Sequence, residues 1–197
     1  IKLALKKIIK KYGKVDILIN NAATKTKNLK NFFEDFENYK LTVWNEVMSV
    51  NIDSMFLMSK LVGKQMLKQN TSCSIIQVSS IYGLLAPDQR IYENSNYMNM
   101  KINTPAVYSV SKSAVIGLSK YLASYWGHKG IRVNTLIPGG VESGQNEEFK
   151  KNYSNRVPLR RMAKASEMES TILFLASDAS SYITGQNFIV DGGLSCW

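Results

Sequence analysis

Four short apolar runs punctuate the chain: VDILIN (15–20), SIIQVS (74–79), IRVNTLI (131–137) and NFIVD (187–191). Gly13 precedes the first, Pro138-Gly139-Gly140 closes the third and Gly192-Gly193 closes the fourth. Continuous apolar runs of this length, rather than alternating ones, belong to strands covered on both faces. Between them the apolar positions recur at helical spacing. Ile1, Ala4, Leu5, Ile8, Ile9 and Tyr12 share one face of a lysine-studded segment, and the stretch 42–68 carries Trp44, Val47, Met48, Phe56, Leu61 and Val62. A long helix is predicted over 107–125, its buried stripe being Val107, Val110, Ala114, Val115, Leu118, Leu122 and Tyr125. Ser166 and Glu169 stand at capping-box spacing, so a further helix is expected to start near Ser166. Strand and helix in alternation predict an α/β fold: a doubly wound parallel sheet between two helical layers.

Two stretches break the rhythm. Residues 86–105, APDQRIYENSNYMNMKINTP, are polar, aromatic and bounded by prolines; residues 141–160 are charged and irregular. Both follow the carboxyl end of a strand, where open α/β sheets bind ligands, and both are read as substrate-side loops. With no repeats and no low-complexity linker, residues 1–197 read as a single domain.

Composition narrows the partners. The chain is 45% hydrophobic and 20% charged, with a formal charge of +10. Its densest cations are Lys6-Lys7 with Lys10-Lys11, and Arg160-Arg161. No RNA-binding aromatic motif, zinc finger or helix-turn-helix accompanies them, so a solvated surface is favoured over a nucleic-acid site. The basic first segment suits a helix over a core better than one lying on a membrane, and no apolar run reaches the length of a membrane span. Cys73 and Cys196 are far apart and not in a metal spacing, so no metal is expected; a reducing cytoplasm is the simplest compartment. His128 reads as a helix-end residue, without a partner motif for catalysis.

The chemistry concentrates in VYSVSK (107–112). Tyr108 and Lys112 are four residues apart, so on a helix they face the same way. A free phenol holds its proton at neutral pH; an ammonium one turn away favours the phenolate and draws its pKa down. Tyrosine then serves as acid and base toward a carbonyl being reduced or an alcohol being oxidised. A serine hydroxyl can hold the same oxygen, and Ser79-Ser80 end the strand SIIQVS.

Taken alone, Tyr-x-x-x-Lys is a weak signal. The pieces around it are far more specific: Asn20-Asn21-Ala22-Ala23 after VDILI, Asn51 in SVNIDSMF, Ser79-Ser80 before IYG, YSVSK, IRVNTLIPGGVES and ITGQNFIVDGG. In this order the chain resembles the short-chain dehydrogenase/reductase family from residue 8 onward. The resemblance implies a Rossmann-like fold and NAD or NADP as cofactor. It makes Tyr108 the proton donor or acceptor, and Lys112 the group that lowers its pKa and bonds the nicotinamide ribose. Ser80, rather than Ser79, would hold the substrate oxygen. Asn51 would kink its helix and hold a water that relays protons through Lys112. Asn20, Ala22 and Ala23 would line the adenosine side of the cofactor. Pro138, Gly139 and Val141 would border the nicotinamide, with Ser143 near the phosphates and carboxamide. Family members pair as homodimers or homotetramers through the helices carrying Asn51 and Tyr108.

The chain departs from the family in three places. Nothing matches its opening strand and glycine-rich turn, so the strand VDILI is expected to have an open edge and a longer parent chain is implied. Ala23 stands where glycine is usual. The separation of Ser80 and Tyr108 exceeds that of most members, the extra residues being 88–103 with Tyr92, Glu93, Asn94, Asn96 and Tyr97. Polar and aromatic residues together suit sugar recognition, and Tyr82, Tyr92, Glu93 and Gly140 are the candidate substrate contacts. SSIYGLLAP, IYEN, YSVSK and PGGVESGQ together resemble bacterial members linked to surface-polysaccharide or flagellin-sugar biosynthesis. The expected activity is hydride transfer between nicotinamide and a carbonyl or alcohol of a small molecule, such as a sugar or sugar nucleotide. A 3-oxoacyl carrier-protein reductase and a non-catalytic dinucleotide-binding protein are the alternatives.

Overall fold

The computed structural model describes residues 1–197. In chain order the elements are α1 (Lys2–Tyr12), β1 (Ile17–Asn20), α2 (Leu29–Phe32), α3 (Leu41–Met48), α4 (Ser54–Gln69) and β2 (Cys73–Val78). There follow β3 (Asn96–Tyr97), β4 (Met100–Lys101), α5 (Ala106–Trp126), β5 (Ile131–Pro138), α6 (Glu147–Asn155), α7 (Glu169–Ala176) and β6 (Asn187–Val190). The main sheet is parallel throughout, in the order β1-β2-β5-β6, with Ile75 opposite both Leu18 and Val133. The two central strands are the apolar runs with least solvent contact: every residue of β2 is buried, and all of β5 except Pro138.

Side-chain alternation sends the two faces of the sheet to different helices. Leu18, Ile75 and Val133 meet Val62 and Met66 of α4 and Leu122, Ala123 and Trp126 of α5. Ile76 and Leu136 face the other way and meet Met168 and Leu175 at α7. Two helices close one face and α7 covers the other, which is the predicted three-layer Rossmann-like arrangement. On the α7 side of β1, Ile17 and Ile19 each remain 44% exposed. No helix is long and apolar enough to cross a membrane.

Three elements differ from the pattern reading. The helix expected over 42–68 is interrupted by a π-helical turn, Ser49–Asp53, between α3 and α4. Such turns are rare and cluster at functional positions. The stripe of α5 is rotated: Val110 and Tyr125 are exposed, while Ser111, Lys112, Ile116 and Ser119 are buried. Small or self-bonded serines permit this close approach, the Ser119 hydroxyl donating to the Val115 carbonyl at 2.8 Å. The capping box is not Ser166/Glu169. The chain enters α7 through a 3₁₀ turn, Ala165–Met168, and Glu167 accepts the Lys164 N–H at 2.8 Å. Arg161 also donates to Glu167 from two nitrogens, each at 2.6 Å; that bidentate pair selects the earlier carboxylate. In α1 only Leu5 and Ile9 are partly covered, Leu5 against the cluster shared by α4 and α5.

The α4–α5 contact has no slack at Gly63. A Cβ there would lie 2.3 Å from the buried Trp126 indole. Gly63→Ala is therefore expected to destabilise the chain by about 1–3 kcal/mol, the range for overpacking a core. Gly127→Ala, whose Cβ meets nothing within 4 Å, is expected to hold or raise the melting temperature. Thermal melts of the two variants check this; a Gly63→Ala protein that melts no lower than the parent would show that the indole moves aside freely.

Candidate active site

Because all four strands of the main sheet run parallel, their carboxyl ends share one edge. Asn20, Val78 and Pro138 end their strands there, and α5 begins beside them with Tyr108 and Lys112 one turn apart. Lys112 is 3% exposed, and its ammonium donates to the Val78 carbonyl at 3.0 Å. In return, the Ser79 hydroxyl donates to the Lys112 carbonyl at 2.7 Å. Gly83 completes the contact: a Cβ there would lie 2.8 Å from the Lys112 backbone. Ser79 thus fastens α5 to β2. Ser80 accepts the Tyr82 N–H at 3.2 Å and turns its hydroxyl to the Tyr108 phenol. The two adjacent serines have different duties.

Burial dominates the electrostatics. It pushes the Tyr108 phenol up, with the Ser80 hydroxyl pulling the other way. It holds the Lys112 ammonium down to about 8. The expectation that Lys112 draws the phenol down is therefore corrected for this arrangement. The ammonium points at Val78 and lies 5.8 Å from the centre of the Tyr108 ring. Desolvation therefore sets the direction of the phenol's shift, opposed by Ser80.

Asn51, fully buried on the π turn, lies behind the site. Its amide donates to the Ser111 hydroxyl at 3.1 Å, and its carbonyl oxygen accepts the Thr24 N–H at 2.9 Å. Asn20 is also buried, donating to Ser59 at 3.1 Å and to Gln77 at 2.8 Å. It pins β1 rather than facing the opening. Neither it nor Ala22 lines the cleft, whereas Asn21 and Ala23 do.

That cleft has a volume of about 420 Å³ and brings together Ser80, Tyr82, Tyr108, Lys112, Pro138–Val141 and Ser143. Its outer wall comes from both irregular stretches. Within 86–105, β3 and β4 form a hairpin whose turn residues Met98 and Asn99 are both left-handed, as a two-residue turn of this kind requires. Asn146 of the second stretch caps α6 by accepting the Phe149 N–H at 2.8 Å, and donates to the Asn96 carbonyl at 2.8 Å. Asn152 donates to the carbonyls of Ile91 and Glu93, and Arg156 pairs with Asp88. The two stretches therefore form one wall, from which Tyr92, Asn96, Tyr97, Asn146 and Tyr153 reach the cleft. Glu93 does not: it lines a groove on the outer side of the wall.

Pattern reading gave Asn21 no site role and overlooked Lys25, Asn103, Phe149 and Tyr153. The last two are the buried residues of α6, in a stretch expected to be irregular; their spacing of four is the signal that could have marked a helix there. In the fold, the Tyr153 hydroxyl accepts the Gly140 N–H, and its ring occupies the space a Cβ at Gly140 would need. Burial raises the phenols of Tyr82, Tyr92 and Tyr153, so this wall presents neutral O–H groups.

A parallel α/β sheet whose carboxyl edge gathers tyrosine, lysine and serine over a Pro-Gly-Gly turn defines a dinucleotide-type oxidoreductase. A family model described as enoyl-(acyl carrier protein) reductase matches residues 1–195. The 3-oxoacyl-[acyl-carrier-protein] reductase of Thermotoga maritima is 36% identical, over 98% of this chain and 72% of its own length. A short-chain dehydrogenase of Leptospira borgpetersenii, solved with bound NAD+, superposes with a TM-score of 0.87 at 34% identity, over 98% of this chain and 70% of that one. A gluconate 5-dehydrogenase of Burkholderia cenocepacia, solved with NADP and tartrate, gives 0.83 at 27% identity, over 99% and 70%. The chain belongs to the short-chain dehydrogenase/reductase family, whose members are NAD(P)-dependent enzymes. It spans about seven-tenths of the length of these three relatives.

The depressed lysine makes a signed prediction. Below about pH 8 Lys112 is charged in folded and unfolded chains alike, and the folded chain bears the full cost of burying that charge. Between about 8 and 10.5 the folded lysine is neutral while the unfolded one still binds a proton, so the cost is relieved as pH rises. The stability of Lys112→Met relative to the parent is expected to be most favourable at pH 7. That advantage should shrink toward pH 10 by on the order of 3 kcal/mol, at about 1.4 kcal/mol per pKa unit. Denaturant unfolding of both proteins at pH 7, 8.5 and 10 checks it; a pH-independent difference refutes it.

Proposed function

We propose that this protein interconverts a carbonyl and an alcohol on a polyhydroxylated substrate, a sugar or sugar nucleotide, using NAD or NADP. The nicotinamide, when bound, supplies or accepts the hydride. The residues present suit its ribose end. Lys112 has one protein acceptor, Val78, leaving two N–H donors for ribose hydroxyls. Pro138, Gly139, Val141 and Ser143 border the space beside them. Tyr108 holds the proton that the substrate oxygen gains or loses, and Ser80 holds that oxygen in place. The Asn51 carboxamide fixes Ser111 and Thr24 behind them.

The observation that carries the substrate reading is the polar, aromatic wall, with Tyr92, Asn96 and Tyr97 facing the same cleft as Tyr108. Hydroxyl-rich ligands use such amides and ring faces; an acyl chain uses neither. A 3-oxoacyl thioester is the second reading, favoured by the Thermotoga relative and by a formal charge of +10 that suits an acidic carrier protein. We place the protein in a reducing cytoplasm, its Cys73 and Cys196 free, as a homodimer or homotetramer. Phe56, Leu57 and Leu67 of α4 and Val110, Tyr121 and Tyr125 of α5 are the exposed apolar side chains available to such a contact.

Tyr108→Phe is expected to lower turnover by about 10²- to 10⁴-fold while NAD(P) affinity stays within a few-fold. Steady-state assays on polyols and on a 3-oxoacyl thioester, paired with cofactor titration, check this. Reduction of the thioester alone would sink the sugar reading. A Tyr108→Phe protein that keeps full function would return the chain to a non-catalytic role.

A further inference from the structure

The charges around the cleft are one-sided. The chain has 15 carboxylate side chains, and none lines the cleft; its two charged lining residues are Lys112 and Lys25. Lys112 is buried, donates to the Val78 carbonyl and, in the reading above, gives its other donors to the nicotinamide ribose. Lys25 is exposed and takes part in none of the ion pairs of the protein. A cation at the rim of a carboxylate-free cleft concentrates its field on whatever enters.

Lys25 is also held in place by its neighbours. The buried Asn51 accepts the Thr24 N–H at 2.9 Å, and the Thr24 hydroxyl accepts the Thr26 N–H at 3.1 Å. The Thr26 hydroxyl in turn donates to the Asn28 carbonyl at 3.0 Å. Thr26 has φ of 69°, left-handed backbone that a β-branched residue adopts only under constraint. The turn that projects Lys25 is thus fixed at both neighbours, and one fixing group is the residue behind the catalytic tyrosine. On the opposite side stands Tyr97 of the hairpin, with the Lys25 ammonium 5.2 Å from its ring centre. An aromatic face orients the ammonium without neutralising it, leaving its N–H donors for a ligand.

We infer that the substrate is an anionic polyol, a sugar acid or sugar phosphate, whose carboxylate or phosphate oxygens are received by Lys25 against the face of Tyr97. This rests on the polyol reading above. A neutral polyol would find its hydrogen bonds in the Asn96 side chain and the Ser80 hydroxyl, and would leave Lys25 without a task. Lys25 in this role sets specificity and takes no part in moving the proton.

Three probes on one carbon skeleton test it: D-glucitol, D-gluconate and D-glucitol 6-phosphate. Each is titrated calorimetrically into the purified protein with NAD or NADP at saturation, and each is assayed for turnover. At least one anionic probe is expected to bind about tenfold or more tightly than glucitol; which one it is separates carboxylate from phosphate. Lys25→Met is expected to collapse that preference to within about twofold, and Lys25→Arg to keep most of it. The proposal is overturned by equal binding of neutral and anionic probes, or by a preference that survives Lys25→Met. A loss of cofactor affinity as large as the loss of anion affinity also overturns it, and would assign Lys25 to the cofactor phosphates. If no probe binds or turns over while a 3-oxoacyl thioester is reduced, the polyol reading itself has failed and the anion proposal with it.

Discussion

The site depends on one reciprocal contact between α5 and β2. The Lys112 ammonium donates to the last carbonyl of β2, and the next residue, Ser79, donates its hydroxyl back to the Lys112 carbonyl. Both bonds are buried, so neither partner has water as an alternative, and breaking either leaves an unsatisfied group. This contact fixes the height and rotation of α5 over the sheet edge. Tyr108, one turn earlier, is thereby set beside Ser80, and the bare Gly83 lets the following turn rest on the helix backbone. The same burial that makes the contact strong also lowers the lysine and raises the phenol. Position and acidity therefore have a single cause.

A second layer of constraint supports the first. The π turn carries Asn51 inward, where one carboxamide holds α5 through Ser111 and the loop after β1 through Thr24. Tyr108 and the rim lysine are thus referred to a common buried group. Opposite them, the 86–105 stretch and α6 act as one wall because their bonds run between them, from Asn146 to Asn96 and from Asn152 to Ile91 and Glu93. A wall fastened to itself can change its inner side chains without disturbing the sheet, which is how a shared fold comes to hold different substrates.

Much of this was legible beforehand because it is local. Unbroken apolar runs marked β2 and β5, strand–helix alternation implied a parallel sheet, and the positions of Tyr108, Lys112 and Ser80 carried the family resemblance. Other features escaped because they are agreements between distant segments. The resemblance set Asn20 beside the adenosine of the cofactor, and only the fold shows it as a buried brace to Ser59 and Gln77. Glu93 looked like a substrate contact and lies on the outer side of the wall. Phe149 and Tyr153 lie in a stretch read as irregular, yet both are buried in the core and Tyr153 shapes the turn at Gly140.

The sequence by itself determined the fold class, the family and the grouping of Tyr108, Lys112 and Ser80, since periodicity and short ordered motifs express backbone geometry and local chemistry. Tertiary structure alone decided the protonation balance of Tyr108 and Lys112, the separate duties of Ser79 and Ser80, and the one-sided charge around Lys25. Each of these is a matter of desolvation or of through-space contact. Burial, partner and field are properties of a place in the fold, and residues far apart in the chain make that place together.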